Sequence, residues 1–95
     1  MLKRKIKELF GIYETGVTYT IPFDEIVVTK DFLLTQIGKE KWGRKLRYYD
    51  QTGILQSKIK LTKDFVLVDG YSSYCIARAY ELKEVPVEFV EYIDR

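Results

Sequence analysis

Residues 59–90 read IKLTKDFVLVDGYSSYCIARAYELKEVPVEFV, and this stretch decides the fold. Ile59 and Leu61 alternate with Lys58 and Lys60, the period of a half-buried strand. Phe65 to Val68 follows as an unbroken apolar run, which predicts a strand buried on both faces. Asp69 and Gly70 supply a tight turn. Residues 72–82 predict a helix with Ile76, Ala79 and Tyr80 facing inward. Lys83 and Glu84 connect to a last strand over residues 85–92. There Pro86 points to an edge, or to the first position of a ladder. Strand, turn, helix and returning strand together call for a sheet on which a helix packs.

The chain upstream extends the same alternation. Val17, Tyr19 and Ile21 mark a strand over 17–21 that Pro22 ends. Asp24 and Glu25 suit a short turn before Ile26, Val27 and Val28, which read as a second short strand. Residues 31–37 fit either a loop or a single helical turn. Residues 39–51 predict a helix with Trp42, Leu46 and Tyr49 on one face and Lys41, Arg44, Lys45 and Tyr48 on the others. Gly43 costs that helix about 1 kcal/mol relative to alanine. Thr52 and Gly53 end it. At the start, Leu2, Ile6, Leu9 and Phe10 recur at helical spacing among Lys3, Arg4, Lys5 and Lys7. So short a helix needs a surface to dock on. The expected division is a basic amphipathic helix within 1–15 and one domain over 16–95. The expected class is α/β (α+β), a single small mixed sheet with helices on one side.

Composition sets the outer limits. Ninety-five residues suffice for one domain, and 46% apolar content with a net charge of only +2 argues against intrinsic disorder. The chain has no histidine, which removes the Ser-His-Asp triad, the Cys-His dyad and the His-ligated metal. Cys75 is the one cysteine, so neither an intramolecular disulfide nor a zinc cluster can form, and no metal is expected. In its apolar run it reads as a small buried hydrophobe. No apolar run approaches the ~20 residues of a membrane span. The basic start lacks the apolar core of a signal peptide, so a soluble, cytoplasmic protein without membrane contact is expected.

The net charge of +2 conceals an asymmetry: residues 1–63 carry +6 and residues 64–95 carry −4. Lys39, Lys41, Arg44, Lys45 and Arg47 interleave with Trp42, Tyr48 and Tyr49. Basic and aromatic residues interleaved in this way suit phosphate contact and base stacking. Trp42 and Tyr49 fall on the apolar face and are expected in the core. Lys41, Arg44, Lys45 and Arg47 are left as a candidate surface for nucleic acid or for an acidic protein; a plain solvated helix face is the competing reading. Asp24, Glu25 and Asp31 could hold Mg²⁺ or act as a base, and equally suit turns and caps.

The segment of residues 59–90 resembles the ParB/sulfiredoxin-like superfamily, which includes the ParB-like nuclease domain. Its members run a strand into a Gly-x-His/Arg-Arg box that opens a helix, and then close with a strand. Two upstream stretches extend the likeness: YTIPFDEIVVTKDFL (19–33) and KWGRKLRYYDQTGILQSKIKL (41–61). The resemblance implies several activities. ParB proteins bind centromere DNA and CTP, sulfiredoxins use ATP, some relatives phosphorylate serine, and others are nucleases. In each, the box after the glycine meets nucleotide phosphate, so a nucleotide is the implied cofactor and Asp69, Gly70, Tyr71, Ser72 and Ser73 the implied binding residues. A helix N-terminus offers unpaired N–H groups and partial positive charge for that purpose.

The box departs from the pattern where the charge should sit, because Ser72 and Ser73 replace the His/Arg-Arg pair. Serine still donates to phosphate, but without charge assistance. Ser72 also reads as a simple helix cap. Cys75 lies inside the helix and not before the pair, unlike the sulfiredoxin cysteine. The favoured expectation is a small, non-catalytic ParB-like binder of DNA or nucleotide phosphate, with a phage or mobile-element origin by family analogy. The alternatives are a protein-interaction module or inhibitor docking through residues 2–11, and a Mg-dependent phosphotransferase or nuclease.

Overall fold

The computed structural model describes residues 13–91. The expected helix over 2–11 lies outside them. Four strands and three helices follow in the order β1 (Thr18–Pro22), a 3₁₀ turn (Phe23–Glu25), α1 (Lys30–Leu33), α2 (Lys39–Thr52), β2 (Ile59–Leu61), β3 (Leu67–Asp69), α3 (Tyr71–Ala79) and β4 (Glu84–Phe89). They form an α+β fold around one mixed sheet in the order β1-β4-β2-β3. β4 pairs antiparallel with β1 and parallel with β2, and β3 pairs antiparallel with β2. The parallel pair needs a long crossover, which α3 supplies.

Alternation decides which face is buried. Ile59 and Leu61, then Val85, Val87 and Phe89, are buried and aligned in register, while Glu84 and Pro86 point to solvent. Lys58 meets Glu88 at 2.7 Å across the polar face. Tyr13 closes one end of the core against Tyr19, Phe65 and Phe89, with ring centroids 5.1, 5.6 and 4.4 Å away. The Lys63 ammonium donates to the Tyr13 carbonyl at 2.7 Å and fixes that entry.

Several expectations need correction. Residues 26–28 form only a single bridge, Val27 with Val66, and no strand. The Phe65–Val68 run is not a strand buried on both faces. Thr62 folds the chain into a turn, its hydroxyl accepting from the N–H groups of Asp64 and Val66. Phe65 is buried at φ 70, and Val68 is exposed because β3 ends the sheet. Pro86 sits in a central strand, tolerated because pairing with β2 begins at Val87. In α3, Ala77 joins Ile76 in the buried set, whereas Ala79 and Tyr80 face solvent. The helix stops at Ala79, so the expected inward face shifts. No residue of α2 is buried; Trp42, Leu46 and Tyr49 are half-covered, because α2 packs on one side only.

Candidate functional site

β3 delivers the chain to Asp69, and α3 starts directly after Gly70. Gly70 is the N-cap of α3 at φ 84, a left-handed conformation that favours glycine. A Cβ there would lie 2.2 Å from the Lys58 carbonyl oxygen and 2.8 Å from the Ile59 Cα. The glycine therefore lets α3 cross the entry of β2, a packing requirement distinct from close approach by a ligand. The Asp69 carboxylate accepts from the Gly70 N–H at 2.9 Å.

Ser72 is not the cap, since Gly70 holds that position. The first helical bond runs from the Tyr74 N–H to the Gly70 carbonyl at 3.0 Å. The N–H groups of Tyr71, Ser72 and Ser73 precede it and belong to the first turn. Ser73 is fully buried, and its hydroxyl donates to the Ser57 carbonyl at 2.6 Å. Its O–H is therefore engaged in holding the loop before β2. Ser72 is buried beside it.

A cleft of about 280 Å³ lies over this helix start. Asp69, Gly70, Tyr71 and Ser72 form one wall, and Lys41, Ser57 and Phe32 contribute to the rest. Two sets of residues that are far apart in sequence thus meet: the glycine box and the basic helix α2. Lys45, one turn after Lys41, donates to the Ser57 hydroxyl. Burial and the neighbouring Lys41 and Arg44 push the Lys45 ammonium below the usual lysine range, while Asp69 opposes them. Among the described residues, no carboxylate lies within ion-pairing distance of Lys41, Arg44 or Lys45. Arg47 is exposed on α2 and does not line the cleft.

Phe32 and Tyr71 stack at 5.2 Å on the cleft wall, and the stack continues through Tyr74 to Phe23. Sequence reasoning missed Phe32, which sits on the short helical turn α1. It also missed Ser57, in a loop with no motif of its own. The only prior signal was their place inside the quoted stretches 19–33 and 41–61.

The carboxylates do not gather. Asp31 lines a larger, open groove with Thr62, Lys63 and Asp64, which adjoins the cleft at Asp69 through Phe32 and Thr35, and Asp24 and Glu25 line neither. Among the described residues, no three His, Cys, Asp or Glu side chains converge as a metal site. Cys75 is buried in α3. No helix among the described residues is long and apolar enough to cross a membrane.

No family model matches the sequence, and no curated protein is detectably similar to it. Solved structures do match the fold. A Pnob8-like ParB-N domain superposes with a TM-score of 0.67 at 13% identity, over 81% of this chain and 30% of that one. C-terminally truncated ParB from Caulobacter crescentus, complexed with CTP-γ-S, superposes at 0.63 with 20% identity, over 83% and 47%. This is a ParB-like fold. A conserved hypothetical protein from Pyrococcus furiosus shares it, with a TM-score of 0.65 and 15% identity over 87% and 36%. The chain spans less than half the length of each of these ParB-like structures.

Proposed function

We propose that this ParB-like chain is a non-catalytic binder of phosphate, carried by a nucleotide or by DNA. One observation carries the reading: Lys41 of α2 lines the same cleft as Asp69–Ser72 at the start of α3. The box has lost its own positive charges, and α2 supplies replacements from a different part of the chain. A phosphate in the cleft would meet first-turn N–H groups on one side and a lysine ammonium on the other. Phosphoryl transfer has less support, because the acidic residues it would recruit for Mg²⁺ are dispersed. The acidic-protein reading leans on residues 2–11, outside the described residues. The test is calorimetric titration with CTP, ATP and GTP, repeated on Lys41→Ala. At least one nucleotide should bind, with affinity falling about tenfold in the variant, the scale of one charge-assisted bond. No heat from any nucleotide, together with no retardation of DNA, would overturn the proposal.

A further inference from the structure

Ser57 is held from two sides. Its carbonyl accepts from the buried Ser73 hydroxyl of α3, and its own hydroxyl meets the Lys45 Nζ of α2. The backbone is thereby fixed, and Ser57 lines the same cavity as Gly70, Tyr71 and Ser72. A serine oxygen bonded to a lysine nitrogen, on a residue that shares its cleft with the start of α3, brings together an attacking atom and, in the neutral amine, its proton acceptor. The Ser-Lys pair is a known variant of hydroxyl activation that needs no histidine, and this chain has none.

We propose that Ser57 is a covalent modification site, a serine that takes an acyl group from an activated ester, with Lys45 as its base. The Ser57 Oγ forms a bond to the ester carbonyl carbon, and its proton passes to the Lys45 Nζ. The carbon–oxygen bond to the alcohol breaks, and Lys45 returns the proton to the departing alkoxide. The products are acyl-Ser57 and a free alcohol, with no other reactant needed. The event is stoichiometric, which keeps it compatible with a non-catalytic binder. An acyl group on Ser57 would occupy the cleft and displace Lys45 from its present partner.

The groups that set the Lys45 proton affinity are Lys41 and Arg44 on its own helix and Asp69 from β3. Burial most of all favours the neutral amine that a base must be, the two cations add to it, and Asp69 opposes them.

The experiment treats the full chain with a fluorophosphonate probe, an analogue of the acyl donor, without nucleotide, and maps the adduct by peptide mass spectrometry. It thus stands or falls separately from phosphate binding. The expected adduct is on Ser57 and is lost in Ser57→Ala, which keeps the carbonyl that Ser73 needs. A thermal melt verifies that this variant folds. Lys45→Met should slow labelling at least tenfold. The wild-type rate should rise with pH through the lowered Lys45 titration, and Lys41→Gln should move that rise to higher pH. No adduct, an adduct on another residue, or an unchanged rate in Lys45→Met would overturn the proposal.

Discussion

At Gly70 one residue satisfies two demands that sequence reading runs together. A glycine before a helix suggests room for a ligand, and the sequence assigns it that role. The structure shows the room already filled by the Lys58 carbonyl and the Ile59 Cα. Gly70→Ala should therefore destabilise the fold whether or not any ligand binds. Backbone strain and overpacking together predict a loss of about 2–5 kcal/mol, read from urea denaturation. Glu81 is the converse case. It follows α3 at φ 55, and the Leu82 N–H reaches the Ala77 carbonyl at 3.0 Å while the Glu81 N–H reaches that of Arg78 at 3.1 Å. These are the two bonds of a Schellman ending, whose left-handed position favours glycine. Glu81→Gly should raise stability by about 1 kcal/mol in the same measurement. Glu81 was not legible beforehand because a glutamate gives no sign of a left-handed helix ending, and the crowding at Gly70 was not legible for another reason. The cost of a Cβ depends on what the distant chain places beside it, and a single sequence does not carry that.

Elements were legible where periodicity was long and one face was covered by the rest of the fold. α2 stands within one residue of its expected span, and β4 starts within one but ends at Phe89 rather than at 92; their patterns run over two turns and three inward residues. β3 was misread because four consecutive apolar residues do not say which of them leave the strand. Here Thr62 turns the chain first and Phe65 belongs to that turn. The site shows the same contrast. Asp69 to Ser73 and Lys41 to Arg47 were both singled out, but their meeting depends on how α2 packs against α3, which no local pattern encodes. That packing has a second anchor at the C-terminal ends. The Tyr80 hydroxyl bonds the Asp50 carboxylate, and the Tyr49 and Tyr80 rings meet edge-on at 4.8 Å. The bond to Asp50 raises the Tyr80 phenol above its ordinary range, with desolvation adding to it. A tyrosine whose folded value exceeds its unfolded one contributes stability that is complete below the unfolded value. That contribution is lost as pH rises through the folded value. Tyr80→Phe should therefore be less stable than wild type at pH 7, and the gap should close above the raised Tyr80 titration. Chemical denaturation across that range measures it; a gap independent of pH would assign the effect to packing alone.

At the scale of the whole molecule, a charge of +2 is the sum of two unlike regions, and the fold determines where the positive part can act. Lys41 lines the cleft, and Lys41, Arg44 and Lys45 have no carboxylate partners among the described residues, whereas Glu88 on the sheet's polar face is paired with Lys58. A phosphate polymer approaching α2 would therefore release counterions in proportion to the cations it meets. Each neutralised phosphate contributes about 0.9 to the slope of log affinity against log salt. If Lys41, Arg44, Lys45 and Arg47 all engage DNA, that slope should lie near −3 to −4 in a fluorescence anisotropy titration. Removing Arg44 and Arg47 together should reduce it by about 2 and weaken binding similarly on every sequence. The cleft makes a different demand. A mononucleotide held there by Lys41 and the α3 start has no reach to Arg47, which lies off the cleft wall. The Arg44, Arg47 double variant should then leave nucleotide affinity within about twofold while it halves the DNA slope. If both affinities fall together, the two ligands share one surface, and the cleft is only the part of it that the lysines of α2 overhang.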